Sequence, residues 1–347
     1  MSSSDPAAAG RRFVVTALCT VVLMLGCLFG ATAATDPTGL LVAGGWPAGL
    51  CAPGVKVMDD RVRKPAMLSV HRPDGIILGS SRVAGGFDGR GLRPEDGTVL
   101  NLGMTGATMT DIDALARRAA DETPVSRVWI GLDFGAVAMT EAAPITMPSE
   151  TWLADPAVEA LWHGLLSPTA LKATFGLLLH PAACETPPFD VRGFPNPASG
   201  SPAAARMAAP DPSARARLLR SWRAPPAQRE ALYAARMATL DRLLFHLRGR
   251  GVEVILYRSP SHPAYHALVD EAGLGPLHRR WQADTDRLAV RRGVTLVAAD
   301  APGFLTAEEA PACPGPLVDC AFRDAVHFRP EVGAAILRQG RASRAGR

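Results

Sequence analysis

From Phe13 to Ala34 the chain runs for 22 residues without a charge, directly behind Arg11 and Arg12. An apolar helix of that length crosses the hydrocarbon core of a bilayer, which sets this stretch apart from any water-soluble domain. Basic residues ahead of it keep the N-terminus cytoplasmic. The pattern predicts a cytoplasmic tail over 1–12, a transmembrane anchor over 13–34, and an exported remainder, periplasmic or extracellular. A cleaved signal peptide is the competing reading, because Ala31-Thr32-Ala33 resembles a small-residue cleavage site. The length of the apolar run favours the anchor, and either choice exports the main domain.

The remainder has the composition of a globular protein. Of 347 residues, 48% are hydrophobic and 20% charged, which excludes a disordered chain. Lys plus Arg number 37 against 33 Asp plus Glu, a net charge of +4 that gives no ground for a nucleic-acid partner. Four cysteines, Cys51, Cys184, Cys313 and Cys320, fall in the exported part, where disulfides persist. Cys313 and Cys320 bracket the turn-forming Pro314-Gly315-Pro316 and are expected to pair, which leaves Cys51 with Cys184 by elimination. The alternative is four unpaired thiols. Without C-x-x-C or clustered His, no metal or other cofactor is expected.

Residues 35–65, rich in Gly, Pro and Ala, read as a linker and lead-in to an α/β domain over 66–340. Ile76-Ile77-Leu78 and Val128-Trp129-Ile130-Gly131-Leu132 are short apolar runs of the kind found in strands buried on both faces. Val99-Leu100-Asn101-Leu102, Val252 to Tyr257 and Val294 to Val297 complete a set of five predicted strands. Helices are predicted after Thr108, whose spacing to Asp111 suggests a capping box, and over 226–248, 263–291 and 331–338. Strands alternating with helices predict a three-layer sandwich around a mainly parallel sheet, flavodoxin-like in kind. A Pro-rich insertion over about 136–224 carries predicted helices at 157–166 and 168–179. Arg215, Arg217, Arg220 and Arg223 within it read as a solvated helix face.

In open parallel sheets ligands bind beyond the C-terminal strand ends, so the residues just after each strand are the candidates. Gly79-Ser80-Ser81-Arg82 presents hydroxyls after the first strand. Asn101-Leu102-Gly103-Met104-Thr105-Gly106-Ala107-Thr108 follows the second, a Gly-bearing loop able to aim N–H groups at an anion. Near the C-terminus Asp324 and His327 stand three apart, a spacing that lets the carboxylate hold Nδ1–H and frees Nε2 to take a proton from a serine. His262 is a possible cleft residue or rival base, His262 with His266 is a spacing seen in metal sites, and Asp300 competes with Asp324 as the His partner.

These blocks, in this order, resemble the SGNH (GDSL-like) hydrolase family. The resemblance makes Ser81 the nucleophile, with Asp324 and His327 completing the catalytic set, and the N–H groups of Ser81 and Gly106 the oxyanion donors. With its N-terminal anchor, G-S-S turn and helical insertion, the chain also resembles the membrane-anchored subgroup allied to envelope-polysaccharide acyl-transfer proteins. That implies a serine esterase or O-acyltransferase acting on an envelope glycan or lipid ester. One departure stands out: the family's third block offers an Asn donor, whereas this chain has Asp133 after the third strand. A carboxylate repels an oxyanion. Either another donor, such as Arg82 beside the nucleophile, substitutes, or the hole is incomplete, which leaves a slower enzyme or a catalytically silent glycan-binding or scaffold protein of the cell envelope; Arg82 and Asp133 are, with His262, candidate cleft-lining residues.

Overall fold

The computed structural model describes residues 6–35, 60–138, 167–179, 189–190, 192–195, 212–304 and 321–345. Helix α1 (Pro6–Thr35) contains the uncharged run, and from Gly10 to Thr35 it is long and apolar enough to cross a membrane. Phe13, Val22 and Leu23 on it are exposed. Helix α2 (Asp60–His71) begins inside the segment expected to be linker and continues past residue 65, tolerating Pro65. It is held to the domain by Lys64, which donates to the Asn101 carbonyl at 2.7 Å.

The sheet has five parallel strands in the order β2-β1-β3-β4-β5: β1 (Gly75–Leu78), β2 (Val99–Asn101), β3 (Arg127–Leu132), β4 (Glu253–Arg258) and β5 (Thr295–Val297). Each corresponds to one of the expected apolar runs. Ile76 pairs with Leu100 on one side and Val128 on the other, and Trp129 with Ile255. Successive side chains enter opposite cores. Ile76, Leu78, Val128, Ile130, Val254 and Leu256 pack on one face of the sheet, and Ile77, Trp129, Ile255 and Tyr257 on the other. Burial on both faces is why these strands read as continuous apolar runs rather than alternating ones.

On the first face lie α4 (Met109–Glu122), α8 (Pro226–Gly249) and α10 (Gly275–Arg292), contributing Ile112, Leu115, Leu243, Leu247 and Trp281 to that core. The capping box at the start of α4 is formed: Thr108 N–H donates to Asp111 Oδ2 at 2.7 Å, and Asp111 N–H to the Thr108 hydroxyl at 3.4 Å. The opposite core is covered by α3 (Ser81–Gly86) and the C-terminal α11 (Pro330–Ala345), through Val83, Val332, Ile336 and Leu337. The helix expected over 263–291 is two, α9 (Pro263–Glu271) and α10, because Gly273 takes a left-handed φ of 68° and turns the chain between them. Helix α11 runs past the expected end at 338.

Between β3 and β4 the chain carries α5 (Phe134–Ala138), α6 (Pro168–Leu179), α7 (Pro212–Ser221) and α8. The helix expected at 168–179 is α6, while the one expected at 157–166 lies outside the described residues. So do Cys51, Cys184, Cys313 and Cys320; Cys19 and Cys27 on α1 are free.

Helix α3 is pressed between its neighbours by absent side chains. A Cβ on Gly333 of α11 would sit 2.0 Å from the Gly86 carbonyl oxygen, and one on Gly86 would sit 2.2 Å from the Phe328 ring. Overpacking of a tight contact costs about 1–3 kcal/mol. Gly333→Ala is therefore expected to lower the unfolding free energy by about that amount, measured by denaturant titration. An unchanged midpoint would mean that α3 and α11 are not in this contact.

Candidate active site

The strand order places a topological switch point between β1 and β3, since the chain leaves β1 for β2 on one side and returns to β3 on the other. The candidate site stands there. Gly79 ends β1 at φ 155°, and a Cβ on it would lie 2.3 Å from Val83 Cγ2, so the strand-to-helix turn closes only with glycine. Ser80 is the N-cap of α3, its hydroxyl oxygen accepting the Arg82 N–H at 3.2 Å. Ser81 is the first helical residue, a position whose N–H has no carbonyl partner within the helix.

Ser81 Oγ lies 2.8 Å from His327 Nε2, across 246 residues of sequence. His327 Nδ1 in turn lies 2.8 Å from Asp324 Oδ2. The other oxygen of Asp324 accepts the N–H groups of Val326 at 2.7 Å and His327 at 2.8 Å, so the carboxylate folds its own loop while it holds the imidazole. A bridge between Phe322 and Phe328 closes this loop at its base. Burial works against ionisation of Asp324, but the hydrogen bond and charge of His327 and the two N–H groups outweigh it and bring its pKa down to about 2. The three residues singled out in sequence are thus one hydrogen-bonded chain, with the geometry of a nucleophile, a base and an orienting carboxylate.

The second-strand loop is anchored by Asn101, fully buried, whose amide donates to the Val83 carbonyl at 3.0 Å and whose carbonyl oxygen accepts the Gly103 N–H at 3.0 Å. Met104 N–H donates to the Gly79 carbonyl at 3.0 Å, tying the loop to the serine turn. Gly106 lies beyond these ties, at a left-handed φ of 68° with open space around it, and its carbonyl accepts from Arg61 at 3.4 Å.

Asp133 and Arg82 meet each other beside the serine turn. Asp133, at the end of β3, is buried, and its Oδ2 accepts the Ser80 hydroxyl proton. Its Oδ1 faces Arg82 Nε at 3.7 Å, inside a buried ion pair. Arg82 also donates to Ser261 Oγ at 2.7 Å and lies over the Tyr265 ring, 4.7 Å from its centroid. The guanidinium therefore neutralises Asp133 and braces the serine turn through its Nε and Nη1. Ser80 and its link to Asp133 were missed in sequence. The hydroxyl before the first helical residue was the available local signal, but its partner is 53 residues away.

His262 is the N-cap of α9: its Nδ1 accepts the Ala264 N–H at 3.1 Å, and its ring meets Phe322 edge-on. That bond occupies one nitrogen of the supposed rival base, while the contact supports the loop that carries Asp324. His266 faces His278 at 5.4 Å between ring centroids, and burial lowers the pKa of both. Asp300 pairs with Arg258 at 2.8 Å and accepts from Gln282 at 2.7 Å, which removes it as the His327 partner.

Removing one partner of a buried pair leaves an uncompensated charge and costs about 3–5 kcal/mol. Arg82→Met is expected to destabilise the domain on that scale, and adding Asp133→Asn to recover most of the loss in urea titrations; no recovery would mean that the two do not form a pair. Asp324 gives a pH signature. Its folded pKa of about 2 lies below the ordinary 3.8, so its stabilisation is complete above about pH 4 and is lost as the pH falls through 2. The stability gap between wild type and Asp324→Asn is expected to close over that window; a gap independent of pH would rule out the depressed pKa. Comparison with family models, curated proteins and solved structures finds no match to the chain.

Proposed function

We propose that the chain is an exported, membrane-anchored serine esterase or O-acyltransferase of SGNH type, acting on an envelope glycan or lipid ester. The observation that carries this reading is the relay from Ser81 Oγ to His327 Nε2 and from His327 Nδ1 to Asp324, 2.8 Å at each step. Its position at a switch point of a parallel sheet adds support. The apolar stretch of α1 behind Arg11 and Arg12 supports an anchor with a cytoplasmic N-terminus and an extracytoplasmic domain.

In this mechanism Ser81 Oγ attacks the ester carbonyl carbon while its proton passes to His327 Nε2, and the carboxylate of Asp324 stabilises the imidazolium. The N–H groups of Ser81 and Gly106 hold the oxyanion. Collapse of the tetrahedral intermediate breaks the ester C–O bond, and the departing alkoxide takes the proton from His327. Water then attacks the acyl-serine in an esterase, and a sugar hydroxyl in an acyltransferase, with His327 again accepting the proton; collapse of this intermediate breaks the acyl–Oγ bond, releases the acid or the new ester, and returns the proton from His327 to Ser81 Oγ.

The alternative, a catalytically silent glycan-binding or scaffold protein, is favoured by one observation: Asp133 replaces the third block's donor and is tied to Ser80 and Arg82. Losing one oxyanion donor costs about 10²–10³ in rate. A fluorophosphonate probe separates the two readings. Labelling of the full chain is expected, absent in Ser81→Ala and His327→Ala and slowed by up to about 10⁴-fold in Asp324→Asn. Folded wild-type protein that takes no label would overturn the enzyme reading in favour of the silent one.

A further inference from the structure

Helix α6 packs on α1, and the seam between them is built of small side chains. Thr32 and Thr35 of α1 are buried, as are Ala170 and Thr174 of α6. Thr35 Oγ1 and Thr174 Oγ1 share a hydrogen bond at 3.2 Å. Thr32 and Thr35 also donate to the carbonyls of Leu28 and Ala31, one turn back in α1, so each hydroxyl is satisfied within the pair. Small residues that let backbones approach, together with hydroxyls bonded between helices and within them, are what hold helices together in lipid.

The outer surface of α6 is apolar. Phe175, Leu178 and Leu179 are 50%, 54% and 72% exposed, and Lys172 is the helix's one charge. At 1.5 Å per residue its 12 residues reach about 18 Å, too short to span a core of about 30 Å. We infer that α6 is a second membrane-embedded segment, seated beside the C-terminal end of α1 in the acyl and headgroup region of one leaflet. The occupant of its exposed face is lipid. Continuity with α1 argues for this, because Thr35 ends the span that would cross the bilayer and α6 is fixed to that residue. Lys172 has a stem long enough to reach the headgroups. The inference rests on the anchor reading of α1 and adds that the insertion grips the membrane, which would hold the exported domain close to a lipid-borne substrate.

The test is photolabelling of the full chain in phosphatidylcholine vesicles carrying a diazirine on the acyl chain, with adducts mapped by mass spectrometry. Adducts are expected on α1 and on Phe175, Leu178 and Leu179, but not on Phe245 or Val290, which are exposed apolar residues of the α/β domain. Phe175→Glu with Leu178→Glu is expected to reduce α6 adducts about tenfold while α1 adducts persist, given the cost of a carboxylate among acyl chains. Adducts on α1 alone would overturn the inference and leave the anchor standing; this is also the outcome if a second copy of the chain covers α6. Adducts on neither helix would overturn both. Equal labelling of Phe245 and Val290 would overturn the assignment of α6 as a lipid-facing surface.

Discussion

The serine turn depends on how one buried carboxylate is neutralised. Asp133 sits at the end of β3, where an unpaired negative charge would be strongly disfavoured. The fold meets it with the hydroxyl of Ser80, from the turn that follows β1, and with Arg82 in the first turn of α3. The same two residues set the start of α3, since Ser80 caps the Arg82 N–H. Satisfying Asp133 therefore fixes the neighbouring Ser81, whose hydroxyl has to face His327 for any proton transfer. Arg82 is also held by Ser261 and Tyr265, so the loop after β4 takes part in the arrangement.

The other half of the site is built by different physics. Asp324 and His327 belong to a short loop that organises itself through two N–H groups donated to one carboxylate oxygen. Long-range packing delivers that loop to Ser81. Phe328 is fully buried and meets Phe87 edge-on, and its ring occupies the space left by the missing side chain of Gly86. Helix α11 follows directly and lies against α3 through Gly333. Backbone contact this close allows little adjustment between the two parts, which suits a hydrogen bond that has to be made at 2.8 Å.

Much of the sheet was legible because its central strands are buried on both faces and so carry an unbroken apolar signature, as in Val128 to Leu132. The break in the helix after Glu271 was legible locally, since Gly273-Leu274-Gly275-Pro276 carries two glycines and a Gly-Pro pair, but apolar spacing continues on either side and the expected single helix ran through it. The beginning of α2 inside an apparent linker was hidden, since Lys64 is stabilised there by the carbonyl of Asn101, 37 residues further on. For the site, Ser81 stood out through its placement after the first strand, and Asp324 and His327 through their spacing of three. Their order also matched a family resemblance.

The sequence by itself determined what depends on local spacing: an apolar helix long enough to cross a membrane, strands alternating with helices, and an Asp and His on one turn. Tertiary structure decided which charges meet. Asp133 and Asp300 look alike in sequence, each following an apolar strand, yet one braces the serine turn through Arg82 and the other pairs with Arg258. Burial makes that choice, because a charge removed from water takes whichever opposite charge the packed sheet edge brings within reach. The spacing of residues along the chain does not encode that distance.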